Sequence, residues 1–245
     1  MMKRFFVIAL FVLGFGQLYA QPVRDTAWTK AGYFGLKLTQ VSLSSWSAGG
    51  ESALAFDSQI TYSADFKRDR QLWQNRLELG YGLTKNDGKS ARKTNDKIYF
   101  ASTYGYQIYK TLYWSALLNF NTQFAKGYDY NIEDSDFISK FMAPGYLMIG
   151  TGVTWSPNKI FTATFTPASW RGTIVADSRL SDEGAFGVDK GKHLLSEFGA
   201  NLKAEVNYEF LPNMKVYSRL ELYSNYLEDP QNIDVRWDVQ LNMAI

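Results

Sequence analysis

The chain has no cysteine, a single histidine and, past its first residues, no long apolar run; each shortage removes a class of protein. Without thiols there is no disulfide framework, no thiolate metal site and no lipid-modified cysteine of a bacterial lipoprotein. One histidine, His193, excludes a multi-histidine metal centre. A net charge of +2 over 245 residues points to neither nucleic acid nor an acidic partner. A spanning helix needs ~18 or more apolar residues in a row, and none follows the leader, so only strands could cross a membrane.

The leader is a separate segment. Lys3 and Arg4 precede an apolar run from Phe5 to Phe15, and Leu18-Tyr19-Ala20 places a small residue before Gln21. This reads as a secretory signal peptide over residues 1–20, cleaved after Ala20, with 21–31 as a short periplasmic segment. An N-terminal anchor helix is the weaker reading, because the run is too short to span.

What the chain does have is alternation. Aromatic residues make up 16% of it, and in Phe198 to Phe210 the apolar Phe198, Ala200, Leu202, Ala204, Val206, Tyr208 and Phe210 interleave with polar residues and one glycine. Side chains of a strand point to opposite faces in turn, so this is a ribbon with one apolar and one polar face. Similar strands are predicted over Gly32 to Leu43, Ser52 to Phe66, Gln71 to Leu83, Ile98 to Tyr109, Leu112 to Phe124, Leu147 to Trp155, Ile160 to Thr166, Met214 to Ser224 and Val235 to Ile245. Asn75 interrupts an apolar face, and Pro167, lacking a donor, should loosen the ladder.

Connections near residues 47, 90, 135, 180 and 230 are long or moderate, with Lys85 to Lys97 and Ser169 to His193 as exposed loops. Those near 69, 110, 158 and 212 are tight, and the two kinds alternate. This predicts an all-β fold: an antiparallel up-and-down transmembrane β-barrel over 32–245, with about ten strands, short periplasmic turns and long extracellular loops. Trp73, Trp114 and Trp155 lie beside tight turns on the outward face and would form a periplasmic aromatic girdle. On the inward face, Lys203, Glu205, Glu209, Arg219, Glu221, Arg236 and Asp238 bring both signs to similar depth, which predicts a salt-bridged network.

Several motifs resemble an uncharacterised family of Gram-negative outer-membrane proteins, domain of unknown function 3078. They are Gln40-Val41-Ser42 with Ser45 to Glu51, Thr122-Gln123-Phe124 with Gly127-Tyr128, Ser139 to Tyr146, and Leu180 to Val188. The resemblance implies an outer-membrane location and no activity, and it extends over nearly all of the mature chain. Chains resembling this family usually continue to an aromatic terminus, so the complete barrel is expected to have about twelve strands. In physical terms the motifs fall in extracellular loops. Trp46, Gly49, Gly50 and Glu51 would sit at the barrel mouth, where the loops fold into a lid or touch a ligand.

Chemistry is sparse. His193 with Asp189 and Ser196 supplies the residue types of a nucleophilic triad, yet a solvated loop histidine is the simpler reading. Asp129, Glu133, Asp134 and Asp136 lack the spacing of a calcium loop. Lys85, Lys89, Arg92, Lys93 and Lys97 either touch lipopolysaccharide or keep a loop in water. The expected protein is thus a non-enzymatic outer-membrane barrel without cofactor, in contact with lipid and lipopolysaccharide, that binds or passes a small or amphipathic ligand. The alternative is a structural or partner-docking barrel with a plugged interior; a lipid-modifying enzyme is third.

Overall fold

In a computed structural model, residues 27–42, 51–132 and 136–243 are described. The strands are β1 (Trp28–Val41), β2 (Ala53–Arg68), β3 (Gln71–Asn86), β4 (Arg92–Tyr109), β5 (Leu112–Thr122), β6 (Gly127–Tyr128), β7 (Phe137–Ser139), β8 (Gly145–Trp155), β9 (Phe161–Ile174), β10 (Leu194–Leu211), β11 (Met214–Asn225) and β12 (Ile233–Met243). Ten of them form one sheet in the order β1-β2-β3-β4-β5-β8-β9-β10-β11-β12, and β6 pairs with β7 inside a loop. Every neighbouring pair is antiparallel, so the fold is an all-β up-and-down meander. β1 and β12 are its two edges, and no pairing joins them among the described residues.

The connections agree with the alternation only in part. Two-residue turns join β2 to β3, β4 to β5 and β10 to β11, and the longest connections, 123–144 and 175–193, lie at the opposite end. Residues 85–97, expected as a loop, instead lie mostly in strands, because β3 runs to Asn86 and β4 starts at Arg92. The strand likewise continues through Ser169 to Ile174, where a loop was expected, and β1 begins at Trp28 rather than at Gly32. Residues 85–97 are polar on both faces and so lack alternation, yet their backbone goes on pairing; in Ser169 to Ile174, Trp170 and Ile174 keep one apolar face, and the strand resumes beyond Pro167.

Pro167 does loosen the ladder. On one flank Thr151 faces Ala168 while Val153 faces Phe165; on the other Gly199 faces Ser169 while Asn201 faces Thr166. Both flanks of Pro167 are therefore bulged, which lets a residue without an N–H sit inside a central strand. A glycine makes room for it: a β-carbon at Gly152 would collide with the Phe165 carbonyl oxygen.

The polarity of the sheet is inverted relative to a protein folded in water. Its most deeply buried side chains include Ser115, Thr164, Thr166, Ser169 and Asn201, whereas Phe34, Leu36, Ile60, Phe165, Leu202 and Leu241 are exposed. Adjacent residues show it most plainly: Asn201 is 4% exposed and Leu202 38%; Thr166 is 0% and Phe165 49%. Three of the inner hydroxyls bond in a chain across strands, Ser115 donating to Thr154 at 2.8 Å and Thr154 bonding Thr164 at 3.0 Å.

Candidate functional site

The charged residues predicted to face inward occupy a regular pattern on β10, β11 and β12. Lys203, Glu221 and Arg236 stand opposite one another in one row; Glu205, Arg219 and Asp238 form the next row down. Each charge therefore has opposite signs across from it and along its own strand, a chequerboard that the period-2 spacing of a strand produces directly. Within it Arg219 bonds Glu205 at 3.0 Å, Lys203 approaches Glu205 at 3.4 Å, and Arg236 bonds Asp238 at 3.1 Å. Tyr217 donates to Glu205 at 2.7 Å, and Asn201 donates to Glu221 at 3.1 Å. Glu209 stands apart near the turn, paired with the exposed Lys215 at 3.0 Å.

A second group joins this wall from the side. Arg171 on β9 forms a fork with Glu197 on β10 at 2.7 and 2.8 Å and reaches Asp234 on β12 at 3.0 Å. Its guanidinium lies 3.9 Å from the ring centroid of Tyr223 on β11. One side chain thus reaches the three strands that follow its own, which the concave side of a curved sheet permits. On β3 and β4, Glu78 accepts from both Lys97 and Arg76 at 2.5 Å. The sequence pattern points to neither group: Arg171 falls in the stretch expected as an exposed loop, and Lys97 among the cations expected to meet lipopolysaccharide or water.

Between these groups lies a cavity of about 400 Å3, bordered by Glu78, Lys97, Arg171, Arg219, Glu221 and Arg236. Its lining comes from β3, β4, β5, β8, β9, β11 and β12, so the sheet curls until strands far apart in its order face one space.

The outer face near the two-residue turns carries aromatic rings. Trp73, Trp114 and Trp155 are all exposed there. Trp73 packs against Trp28 at 5.9 Å between centroids, Trp114 against Tyr104 at 6.5 Å, and Trp155 against Phe161 at 5.7 Å. Three outer tryptophans also share a bonding pattern. Trp73 donates to Ser102 at 2.8 Å, Trp170 to Ser196 at 2.7 Å and Trp237 to Ser218 at 3.0 Å. Each serine lies two residues before the direct partner of its tryptophan on the adjoining strand. Ser102 in turn donates to Asn75 at 2.8 Å, which gives the polar residue on the apolar face its partner.

At the loop end a small hydrophobic core does form. Ala143, Val175, Leu180 and Val188 are buried together, with Phe137, Ala185, Phe186 and Leu195 against them. Asp177 caps α1 (Ser178–Asp182), its Oδ1 accepting from the Leu180 N–H at 3.0 Å, while Lys140 bonds its other oxygen at 2.5 Å. Those two contacts, that with Lys140 first, hold the Asp177 carboxyl below its ordinary range. The motifs around Ser139 to Tyr146 and Leu180 to Val188 thus pack on each other as a cap. Trp46, Gly49 and Gly50 lie outside the described residues, as does the leader. Glu51 pairs with Lys89 at 2.8 Å.

The remaining candidates are engaged elsewhere. His193 Nδ1 donates to the Val175 carbonyl at 2.7 Å, Asp189 pairs with Lys192 at 2.8 Å, and Ser196 accepts from Trp170. Of the acidic set, Glu133 and Asp134 lie outside the described residues. Among the described residues no group of three or more His, Asp or Glu is placed to hold a metal. Of the basic residues at 85–97, Lys93 turns inward to Asp96 at 2.7 Å, and Lys97 belongs to the cavity.

Comparison with known proteins adds little chemistry. No curated protein matches the chain. Among solved structures, the NanC porin structure in rhombohedral crystal form aligns over 89% of this chain and 99% of its own, at 12% identity and a TM-score of 0.34, a likeness too loose to carry an argument. A family model described as Protein of unknown function (DUF3078) matches residues 38–128, a narrower span than the motifs had suggested. The match runs from the end of β1 through β5 and into the following loop.

Proposed function

We propose that this chain is an outer-membrane β-barrel protein, exported by its leader, whose polar interior binds or passes a small solute. The observation that carries the reading is the inverted polarity: Leu202 and its apolar neighbours face outward while Asn201, Thr166 and Ser169 are buried. Water would favour the reverse arrangement, whereas hydrocarbon favours this one. Lipid then covers the outer belt, the tryptophans near the two-residue turns sit at headgroup depth, and Lys85, Lys89 and Arg92 stand where lipopolysaccharide phosphates would meet them. No catalytic role is assigned to His193.

The test is solvent access in liposomes. Spin labels at Leu202 and Val206 should be relaxed by oxygen, and labels at Asn201 and Asn207 by a water-soluble nickel chelate. Aqueous access to the first pair without oxygen access would remove the membrane reading.

The chequerboard on β10 to β12 favours a second reading, in which the interior is sealed by its own ion pairs and the barrel serves as a scaffold for a partner. The two readings differ on whether the 400 Å3 space beside that wall admits a solute.

A further inference from the structure

Six charged side chains border the interior cavity, and four of them are cations: Lys97, Arg171, Arg219 and Arg236, against Glu78 and Glu221. Most carboxylates that balance the arginines, namely Glu197, Glu205, Asp234 and Asp238, belong to the wall and do not border the space. The two bordering carboxylates are themselves outnumbered. Glu78 is shared by Lys97 and Arg76, and Glu221 stands in its row between Lys203 and Arg236. The field inside the cavity is therefore positive although the surrounding wall as a whole is close to neutral. Tyr99, Asn119 and Asn121 add hydrogen-bonding groups to the lining.

We infer that this cavity takes a small anionic solute bearing hydroxyl groups, of the class of hydroxylated carboxylates. The inference rests on the barrel reading above and deepens it. Arginine presents a planar fork of donors to a carboxylate, and the neutral lining groups suit hydroxyls. Arg236 is the most open of the cationic groups, its side chain 73% exposed, and it is the natural first contact. A solute of this class competes with Asp238 for that guanidinium without stripping Arg171 or Arg219 from their partners.

The probes are gluconate, sorbitol and glucosamine, six-carbon molecules that differ in charge, titrated calorimetrically into the full chain refolded in detergent. Gluconate should bind saturably, sorbitol at least tenfold more weakly, and glucosamine not at all. Arg236→Gln should weaken gluconate binding at least threefold. Asn119→Asp, which adds a negative charge without orphaning a partner, should do the same. Circular dichroism and heat-modifiable migration on gels should remain those of the parent in both variants. A folded barrel that binds gluconate no better than sorbitol, prefers glucosamine, or binds none of the three overturns the inference and leaves the sealed interior standing. Failure of the spin-label test would remove the barrel itself, and the ligand class with it.

Discussion

The sheet and the cap over its loop end follow opposite solvation rules within one chain. In the cap, Val175 and Leu180 are buried and Glu183 and Asp189 are exposed, as water demands. In the sheet, Thr166 and Asn201 are buried, and Phe165 and Leu202 are exposed. No single solvent produces both, so the boundary between them marks a change of surroundings along the molecule's long direction. On the membrane reading proposed above, the cap faces water and is carried on a wall that faces hydrocarbon.

That contrast can be broken most forcefully inside the cap. Val175→Asp puts an unpaired charge into the small core, a change that costs several kcal/mol. The expected outcome is rapid amide exchange and protease cleavage across 175–193 with the sheet's circular dichroism unchanged. Simultaneous loss of the sheet would show that the two regions form one cooperative unit. On the wall, Leu202→Arg should destabilise the protein by about 2–4 kcal/mol in a bilayer, read by denaturant titration in liposomes. The same change on a sheet facing water would be nearly neutral, so the size of the loss measures which solvent touches that face.

The pH dependence of the cap gives a finer test. Because Lys140 and the Leu180 N–H lower the Asp177 carboxyl in the folded cap, Asp177 contributes stability that is fully present above its ordinary value of 3.8. The contribution is lost as pH falls through the lower folded value. Amide exchange in α1 should therefore quicken only in strong acid, and Asp177→Asn should flatten that response. Removing the cap outright with Asp177→Ala should cost about 1 kcal/mol. The smallest effect belongs to Thr166→Val. The Thr166 hydroxyl is buried with no partner among the described residues, so the change should alter stability by less than about 1 kcal/mol.

The same division explains what could be read from the sequence. Strands that pass between apolar and polar surroundings, such as the one through Leu202 and Val206, announce themselves by alternation. Arg92 to Lys97 is a paired strand polar on both faces, so its residues resemble a loop's. Ser169 to Ile174 keeps Trp170 and Ile174 on one face, but it follows the bulge at Pro167, which shifts the alternation. Arg171 is hidden because the bulge at Pro167 breaks the alternation just ahead of it. The chequerboard was visible as charges on one face of β10, β11 and β12, but its register was not. Which cation stands opposite which carboxylate depends on strand pairing, and the bulge between Glu209 and Leu211 shows that this is not fixed by counting alone.

The three indole-to-serine bonds have an optical consequence. An indole that already has an acceptor has no need of water at its nitrogen, so Trp73, Trp170 and Trp237 can rest against acyl chains at any depth. Their fluorescence should peak at short wavelength, and removing a single serine hydroxyl should shift the emission of its own tryptophan while leaving the other two colours where they were.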